Sequence, residues 1–170
     1  MALIKTLRNK TPQFGNNCFL AENATIIGDV VTGNDCSVWY SAVVRGDVHY
    51  IRIGNKVNIQ DNATIHGTYE KSPTHIGNNV SIAHNAVVHG CTVKDNVLIG
   101  MGAIVMDDAV VEQNTIIAAG TVVPQRMKLD PNSVYAGVPA KKIKEISEDL
   151  SRGQIERIAD SYMKYAGWYR

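Results

Sequence analysis

The sequence predicts an all-β fold, a parallel β-helix, with a helical segment after residue 140 packed along it. Aliphatic residues recur at an interval of six, and a small or β-branched residue recurs four positions after each of them. An α-helix needs apolar residues about every 3.6 positions and a simple strand about every two, so this period fits neither. It fits a short strand followed by a turn, repeated so that three blocks close one triangular coil and successive coils stack about 4.8 Å apart.

The six-residue repeat identifies the residues that face the inside of the coil. The leading aliphatic residue of each block is expected to form an inward ladder, while Gly and Asn supply the turns. Residues 1–140 are therefore predicted to form the β-helix. The leading residues are Phe14, Leu20, Ile26, Thr32, Val38, Val44, Ile53, Ile59, Ile65, Ile76, Ile82, Val88, Val93, Ile99, Val105, Val111, Ile117 and Val123.

The step of six is broken in four places. Irregularity in a solenoid usually marks loops on one working face, so we expect the loops beside the central blocks to border a functional site. The breaks are three residues added between Val44 and Ile53, five added between Ile65 and Ile76, one missing between Val88 and Val93, and an insertion at 125–133 before Val134.

The period changes from Lys141 onward, and residues 141–170 are predicted to form a C-terminal helical segment. Ser147 is a candidate N-cap residue, with acidic residues following it in the first turn. Apolar residues then recur at roughly helical spacing, which predicts a helix laid back along the coil. These residues are Leu150, Ile155, Ile158, Ala159, Tyr162 and Tyr165 or Ala166.

Composition excludes several classes of function. With 17 basic and 16 acidic residues, the formal net charge of +1 gives no electrostatic support for binding nucleic acid or an anionic membrane. The sequence has no apolar run of about 18 residues and no apolar stretch typical of a signal peptide. We therefore expect a soluble, cytoplasmic protein. Three cysteines without Cys-x-x-Cys spacing argue against a disulfide framework or a thiolate metal cluster.

Two histidines occupy corresponding positions of the repeat. His66 and His89 each follow a leading residue directly, so both side chains should point outward from the coil. Their blocks are three apart, which is one full turn. The two imidazoles should therefore stack on one face, about 4.8 Å apart at the backbone, where they could share one metal ion. Arg45 should lie on the same face, one turn before His66.

A third histidine lies on a different face. His84 stands two positions after its leading residue, near a corner, and cannot reach the His66 and His89 pair of its own chain. If it binds the same metal, it must do so from a neighbouring subunit, and a closed ring of three subunits would allow this. Gln60 and Asp61 should share the face of His84. The spacing thus predicts both a metal site and an oligomer.

Three neutral imidazoles without a thiolate or a carboxylate ligand favour Zn²⁺, with Co²⁺ or Fe²⁺ also compatible. Three protein ligands leave one coordination position for water, which is the pattern of a catalytic site. Such an ion lowers the pKa of bound water toward about 7 and supplies hydroxide at neutral pH. The site is therefore predicted to attack a small electrophile.

Several motifs together resemble the γ-class carbonic anhydrases and their bacterial relatives. They are Val44-Arg45-Gly46-Asp47-Val48, Asn58-Ile59-Gln60-Asp61, Ile65-His66, His84-Asn85-Ala86-Val87-Val88-His89-Gly90-Cys91, Ile99-Gly100-Met101-Gly102 and Gly137-Val138-Pro139-Ala140-Lys141. The resemblance implies a left-handed coil and a homotrimer with zinc at each subunit interface. His66 and His89 would come from one chain and His84 from its neighbour. It also implies a lyase that reversibly hydrates carbon dioxide to bicarbonate.

The resemblance also assigns roles around the metal. Arg45 and Asp47 look like the family's interface ion pair, and Asp61 looks like a second interface partner of an arginine. Gln60 looks like the residue that orients the hydroxide, and Tyr162 like the helix tyrosine near the site.

This sequence departs from the founding archaeal enzyme at its proton-shuttling groups. Val48 stands where that enzyme has a glutamate, and residues 67–75 replace a longer acidic loop. We therefore expect the hydratase activity to be weak.

Two other classes of function remain open from the sequence. Many hexapeptide-repeat proteins resemble acyl-coenzyme A acyltransferases or thioesterases, which typically use one unmetallated histidine as a base and a long loop that crosses the coils. A metal-storing or assembly subunit without turnover is a further alternative. Metal content and a hydration assay distinguish among the three.

Overall fold

The computed structural model describes residues 1–169 and shows a parallel β-helix followed by a helical segment. The strands are β1 Leu3–Lys5, β2 Phe19–Leu20, β3 Thr25–Thr32, β4 Ser37–Val38, β5 Val43–Ile53, β6 Asn58–Ile59, β7 Thr64–His66, β8 Thr74–Ile76, β9 Val80–Ile82, β10 Val87–His89, β11 Thr92–Val93, β12 Val97–Ile99, β13 Ile104–Val105, β14 Val110–Val111, β15 Thr115–Ile117, β16 Val122–Val123, β17 Lys128–Leu129, β18 Ser133–Ala136 and β19 Lys141–Glu145. The helical elements are α1 Glu148–Leu150, a π-helical segment Ser151–Glu156 and α2 Arg157–Gly167.

The strands stack in parallel into three faces. Face A contains the first parts of β3 and β5, followed by β7, β10, β13 and β16. Face B contains the last parts of β3 and β5, followed by β8, β11, β14 and β17. Face C contains β2, β4, β6, β9, β12, β15 and β18. Each strand pairs with the strand one coil away, as the six-residue period predicts.

The core is the ladder of leading residues. On face A, Val44 pairs with Ile65, Ile65 with Val88, and Val88 with Val105. All four are at most 1% exposed. Burying an aliphatic side chain of this size contributes about 1.5–3 kcal/mol. The inward ladder therefore fixes the register, and the register fixes which polar residues share an outer face.

Residues with positive φ form the corners of the triangle. A column of such residues runs through the corner between faces B and C, and asparagine and aspartate tolerate this backbone region better than other residues with a side chain. The preceding asparagines form a second ladder, in which Asn55 Oδ1 accepts from Asn34 N–H at 2.8 Å and Asn78 Oδ1 from Asn55 N–H at 2.9 Å. The column contains Asn17, Asp35, Lys56, Asn79, Asn96, Asn114 and Asn132.

One of the four breaks predicted in the repeat, the insertion at 125–133, is wrong. The step of six continues beyond Val123, because Leu129 pairs with Val111 and Tyr135 pairs with Ile117. Leu129 is 1% exposed and Tyr135 is 4% exposed, so both belong to the core. The aromatic ring concealed the pattern in the sequence. In the last coil the Tyr135 hydroxyl accepts a hydrogen bond from Asp130 N–H at 3.0 Å.

The C-terminal segment differs at its start from the predicted helix over 141–170. Lys141–Glu145 forms β19, which pairs antiparallel with β18, and helical structure begins at Glu148. Ser147 is the N-cap, as predicted, and its Oγ accepts from Leu150 N–H at 3.2 Å. The final residue of the predicted segment, number 170, lies outside the described part of the chain.

The helical segment packs on face C. Ile155 is fully buried in a cluster with Leu98 and Ile116, and the Tyr162 ring meets the Trp39 ring edge-on with centroids 5.2 Å apart. This packing brings Tyr162 beside the corner that carries His84. Among residues 1–169, none of the helices is long and apolar enough to span a membrane.

Candidate metal centre

His66 and His89 lie side by side on face A. They end β7 and β10, which pair so that the two residues are direct Cα partners. Nδ1 of His66 is 3.1 Å from Nε2 of His89. The stacking that the repeat predicts for this pair is thus present in the structure, and one nitrogen of each ring faces the other.

Each of the three candidate histidines contacts a carboxylate through one ring nitrogen. Asp47 Oδ1 is 3.0 Å from His66 Nε2, and Asp61 Oδ2 is 2.9 Å from His84 Nδ1. Asp107 Oδ1 is in close contact with His89 Nδ1. A carboxylate in this position holds the ring proton on the nitrogen it contacts and leaves the other nitrogen as a ligand.

The facing nitrogens of His66 and His89 fit a zinc ion. Two ligands about 2.0–2.1 Å from one tetrahedral ion lie about 3.3 Å apart, close to the 3.1 Å between these two atoms. The carboxylates contact the opposite nitrogens, so a neutral ring with its proton toward the carboxylate has its facing nitrogen free for an ion. The donor set therefore suits the ion that the sequence favours.

His84 lies apart from this pair. It occupies the corner turn that follows β9, and its side chain is 37% exposed. Its Nδ1 faces Asp61, while its Nε2 is 3.3 Å from Tyr162 Oη. Within residues 1–169, no group of three His, Cys, Asp or Glu side chains is arranged to hold a metal. A site built from all three histidines would therefore need a second copy of the chain.

Arg45 and Asp47 form an ion pair within the chain. Asp47 contacts the Arg45 guanidinium with one oxygen and His66 with the other. Burial raises the pKa of Asp47, but hydrogen bonds from Arg45 and His66 outweigh it and hold the pKa below its usual value. Burial and the Arg45 charge together lower the pKa of His66, which favours the neutral, ligating imidazole. The interface roles of Arg45, Asp47 and Asp61 stay predictions.

Gln60 lies at the start of the corner that carries His84, one coil before Ala83. It is 4% exposed, and its Nε2 donates to Asn58 Oδ1 at 2.9 Å. Together with His84 and Tyr162 it lines an otherwise mainly apolar cavity of about 380 Å³ between face C and the helical segment. Burial, followed by the charge of Asp61, raises the pKa of Tyr162 to about 12, so this hydroxyl keeps its proton at neutral pH.

Two residues near the pair were not predicted from the sequence. Asp107 holds His89, and Thr68 donates a hydrogen bond to the other oxygen of Asp107. Asp107 stands two positions after Val105, which pairs with Val88, so the repeat places it one coil from Gly90. An acidic residue one coil beyond the position that directly follows a candidate ligand is the signal that could have found it.

Comparison with known proteins agrees with the fold. The family model described as "Bacterial transferase hexapeptide (six repeats)" matches residues 90–125. A carbonic anhydrase of Geobacillus kaustophilus is 40% identical over 168 residues, which cover 99% of this chain and 91% of that protein. The mitochondrial γ carbonic anhydrase 2 of Arabidopsis thaliana is also 40% identical, over 95% of this chain and 59% of that protein.

A solved structure shows the same fold over the whole chain. It is the product of the BC4754 gene of Bacillus cereus, provisionally named an acetyltransferase. It superimposes with a TM-score of 0.95 at 36% identity and covers 99% of this chain and 96% of that one.

The six-residue repeat and the stacked coils define a hexapeptide-repeat protein with a left-handed parallel β-helix, which confirms the predicted fold class. Within that class, the near full-length similarity to carbonic anhydrases identifies the family. The chain belongs to the γ-class carbonic anhydrase-like family of hexapeptide-repeat proteins.

Proposed function

We propose that this protein reversibly hydrates carbon dioxide to bicarbonate at a metal centre shared between subunits. The observation that carries the proposal is the facing pair of His66 Nδ1 and His89 Nε2, with a carboxylate on the opposite nitrogen of each ring. The similarity to carbonic anhydrases over nearly the whole chain supports it.

His66 and His89 of one subunit and His84 of the next would hold the ion. Zinc, or cobalt or iron in its place, would act there as a Lewis acid that activates water for attack on carbon dioxide at neutral pH. Asp47, Asp61 and Asp107 would keep the ring protons away from the ligating nitrogens.

The remaining side chains of the site position the attacking water and the histidine rings. The Gln60 amide is fixed by Asn58, so it can orient the attacking water without first losing side-chain freedom. Tyr162 Oη, from the helical segment, lies 3.3 Å from His84 Nε2, the nitrogen that would bind the ion. Arg45 holds Asp47, and through it the His66 ring.

Hydration of carbon dioxide releases one proton for every bicarbonate formed. A fast enzyme needs a group at the rim of the site that passes this proton to solvent. Val48 offers no such group where the archaeal enzyme has a glutamate. We therefore propose that turnover is slow and limited by proton release.

A homotrimer would complete the site. Exposed apolar residues continue both halves of the proposed contact: Met101 lies one coil beyond His84 and is 57% exposed, and Met106 lies one coil beyond His89 and is 42% exposed. When His84 of one subunit faces His89 of the next, Met101 faces Met106 in the same way. Apolar contact of this kind supports a stable interface. Cytoplasmic location stays a prediction from the sequence.

Two measurements test the proposal. Purified protein should contain about one metal ion per chain, and the His84→Ala variant should lose most of it while keeping its circular dichroism spectrum. Metal-loaded wild-type protein should hydrate carbon dioxide above the buffer rate in stopped-flow measurements. No hydration by fully loaded protein would contradict catalysis and leave a metal-storing or assembly role.

The apolar cavity supports a second candidate, an acyl-coenzyme A acyltransferase or thioesterase. About 380 Å³ is within the usual size range for a small-molecule site, and carbon dioxide needs far less. In this alternative His84, held by Asp61, acts as an unmetallated base. Acyl-coenzyme A hydrolysis or acyl transfer that persists after metal removal would favour it.

A further inference from the structure

Asp107 connects a candidate ligand to an inserted loop. Its side chain is 15% exposed, one oxygen contacts His89 Nδ1, and the other accepts a hydrogen bond from Thr68 Oγ1. Burial raises the pKa of Asp107, but the Thr68 hydroxyl and the His89 ring outweigh it and keep the pKa below its ordinary value. Both oxygens of this carboxylate are therefore committed, one to the ring and one to the loop.

The corner at Gly90 is shaped to receive this carboxylate. Gly90 has φ +56°, and a Cβ added to it would lie 2.5 Å from Asp107 Oδ1 and 2.9 Å from Ser72 Cβ. No side chain fits at residue 90 without displacing Asp107 or the loop. Gly90 and Asp107 stand two positions after Val88 and Val105, which are Cα partners, so the register places this glycine beside the aspartate.

The loop at residues 67–73 rests on the same corner. Thr68 N–H donates to Ser72 O at 3.0 Å, and Ser72 Oγ donates to Asp108 Oδ1 at 2.8 Å. Ser72 is fully buried. Asp107 and Asp108 thus hold the loop by two neighbouring hydrogen bonds, but only Asp107 also contacts a histidine.

We propose that Asp107, held in place by Thr68, is the positioning residue that fixes the proton of neutral His89 on Nδ1 and leaves Nε2 facing His66. A neutral imidazole carries one ring proton, and a hydrogen bond from one nitrogen decides which nitrogen can bind a metal. The inserted loop thereby controls the ligand set of face A. The part that concerns metal affinity rests on the proposed function, whereas the tautomer is a property of the metal-free protein.

The tautomer is measured first, in metal-free wild-type protein, by long-range ¹⁵N–¹H correlation of the histidine rings at a pH where His89 is neutral. We expect the proton on Nδ1, and a shift toward Nε2 in Asp107→Ala. A wild-type His89 that carries its proton on Nε2 overturns the inference without any variant having to fold.

Zinc affinity is then measured by chelator competition for Asp107→Ala, Thr68→Val and the matched control Asp108→Ala. We expect about a 10–100-fold loss for Asp107→Ala and a smaller loss for both Thr68→Val and Asp108→Ala, which loosen the loop without removing the carboxylate beside His89. Equal losses for Asp107→Ala and Asp108→Ala would overturn the inference, because they would reflect loop anchoring alone. Wild-type protein with the proton on Nδ1 but without zinc binding would support the tautomer and refute the proposed metal centre.

Discussion

At the scale of single residues, the site depends on carboxylates that hold the outer nitrogens of the histidines. His66, His84 and His89 each contact a different aspartate, so each ring is oriented before any ion binds. Preorganised ligands bind a metal more tightly because less side-chain freedom is lost on binding. Hence small changes at the supporting residues should act on the metal more than on the fold.

The Gly90→Ala variant tests the effect of the supporting residues on the metal by adding a single carbon atom beside Asp107. The new Cβ would lie 2.5 Å from Asp107 Oδ1, so the carboxylate must move away from His89. The matched control is Gly102→Ala, because Gly102 also has positive φ but an added Cβ meets no atom within 4 Å. In urea titrations we expect Gly102→Ala to lose about 1 kcal/mol of unfolding free energy because of its positive φ, and Gly90→Ala to lose more because of the added clash. Only Gly90→Ala should also weaken zinc binding, and equal zinc affinities would contradict the argument.

The sequence predicted the His66 and His89 pair because a strictly repeated coil converts spacing along the chain into distance in space. One turn of the coil separates His66 from His89, as it separates Ile65 from Val88. Asp107 was not predicted, because the register gives its position one coil from Gly90 but not the contact of its side chain with His89. The repeat gives the register of inward residues but not which corner side chain turns toward the previous coil.

At the scale of elements, the helical segment belongs to the site as well as to the fold. Ile155 anchors it between Leu98 and Ile116, and Tyr162 then lies near His84 and Trp39. The β-helix itself is held by inward ladders that do not involve this segment. Local release of the segment should therefore disturb the His84 corner while the coils persist.

Ile155→Ala should loosen the helical segment selectively. Truncating a fully buried isoleucine costs about 2–5 kcal/mol, and the loss falls on the cluster that this residue shares with face C. Amide hydrogen exchange should accelerate over residues 151–167 and remain slow in the core strands. Glu156→Ala, an exposed neighbour, is the control and should leave both regions protected. Equal acceleration throughout the coils would show that the segment and the coils unfold together.

The sequence placed the elements well where the repeat is regular and less well where it ends. The N-cap at Ser147 was predicted because capping chemistry is local. The strand β19 was not, because its formation depends on pairing with β18 rather than on its own residues, all of which are exposed. Leu129 and Tyr135 were missed because a tyrosine stands where the repeat usually has an aliphatic residue, and this hid the continuation of the step of six.

At the scale of the whole molecule, the chain presents the two halves of its proposed site on different surfaces. His66 and His89 lie on face A, whereas His84 lies at the corner between faces C and A. In a cyclic trimer every copy uses both surfaces, one toward each neighbour, so three equivalent sites form and no half remains unused. A monomer would leave both halves, and the exposed Met101 and Met106 beside them, in solvent.

Mixed trimers test this arrangement directly. A His84→Ala chain keeps an intact His66 and His89 pair, and a His89→Ala chain keeps an intact His84. Any cyclic trimer that contains both chains has one interface with all three histidines. Random assembly from equal amounts makes about three quarters of trimers mixed, so co-expression should restore about a quarter of the wild-type zinc content.

The control for this experiment is co-expression of His66→Ala with His89→Ala. Both substitutions damage the same half of the site, so no arrangement of these chains rebuilds a complete one. If each site were formed by a single chain, the first mixture would bind no more zinc than the control. If His84 were not a ligand, the His84→Ala chain would bind zinc fully without any partner. Recovery in the first mixture alone requires that the third histidine come from a neighbouring subunit.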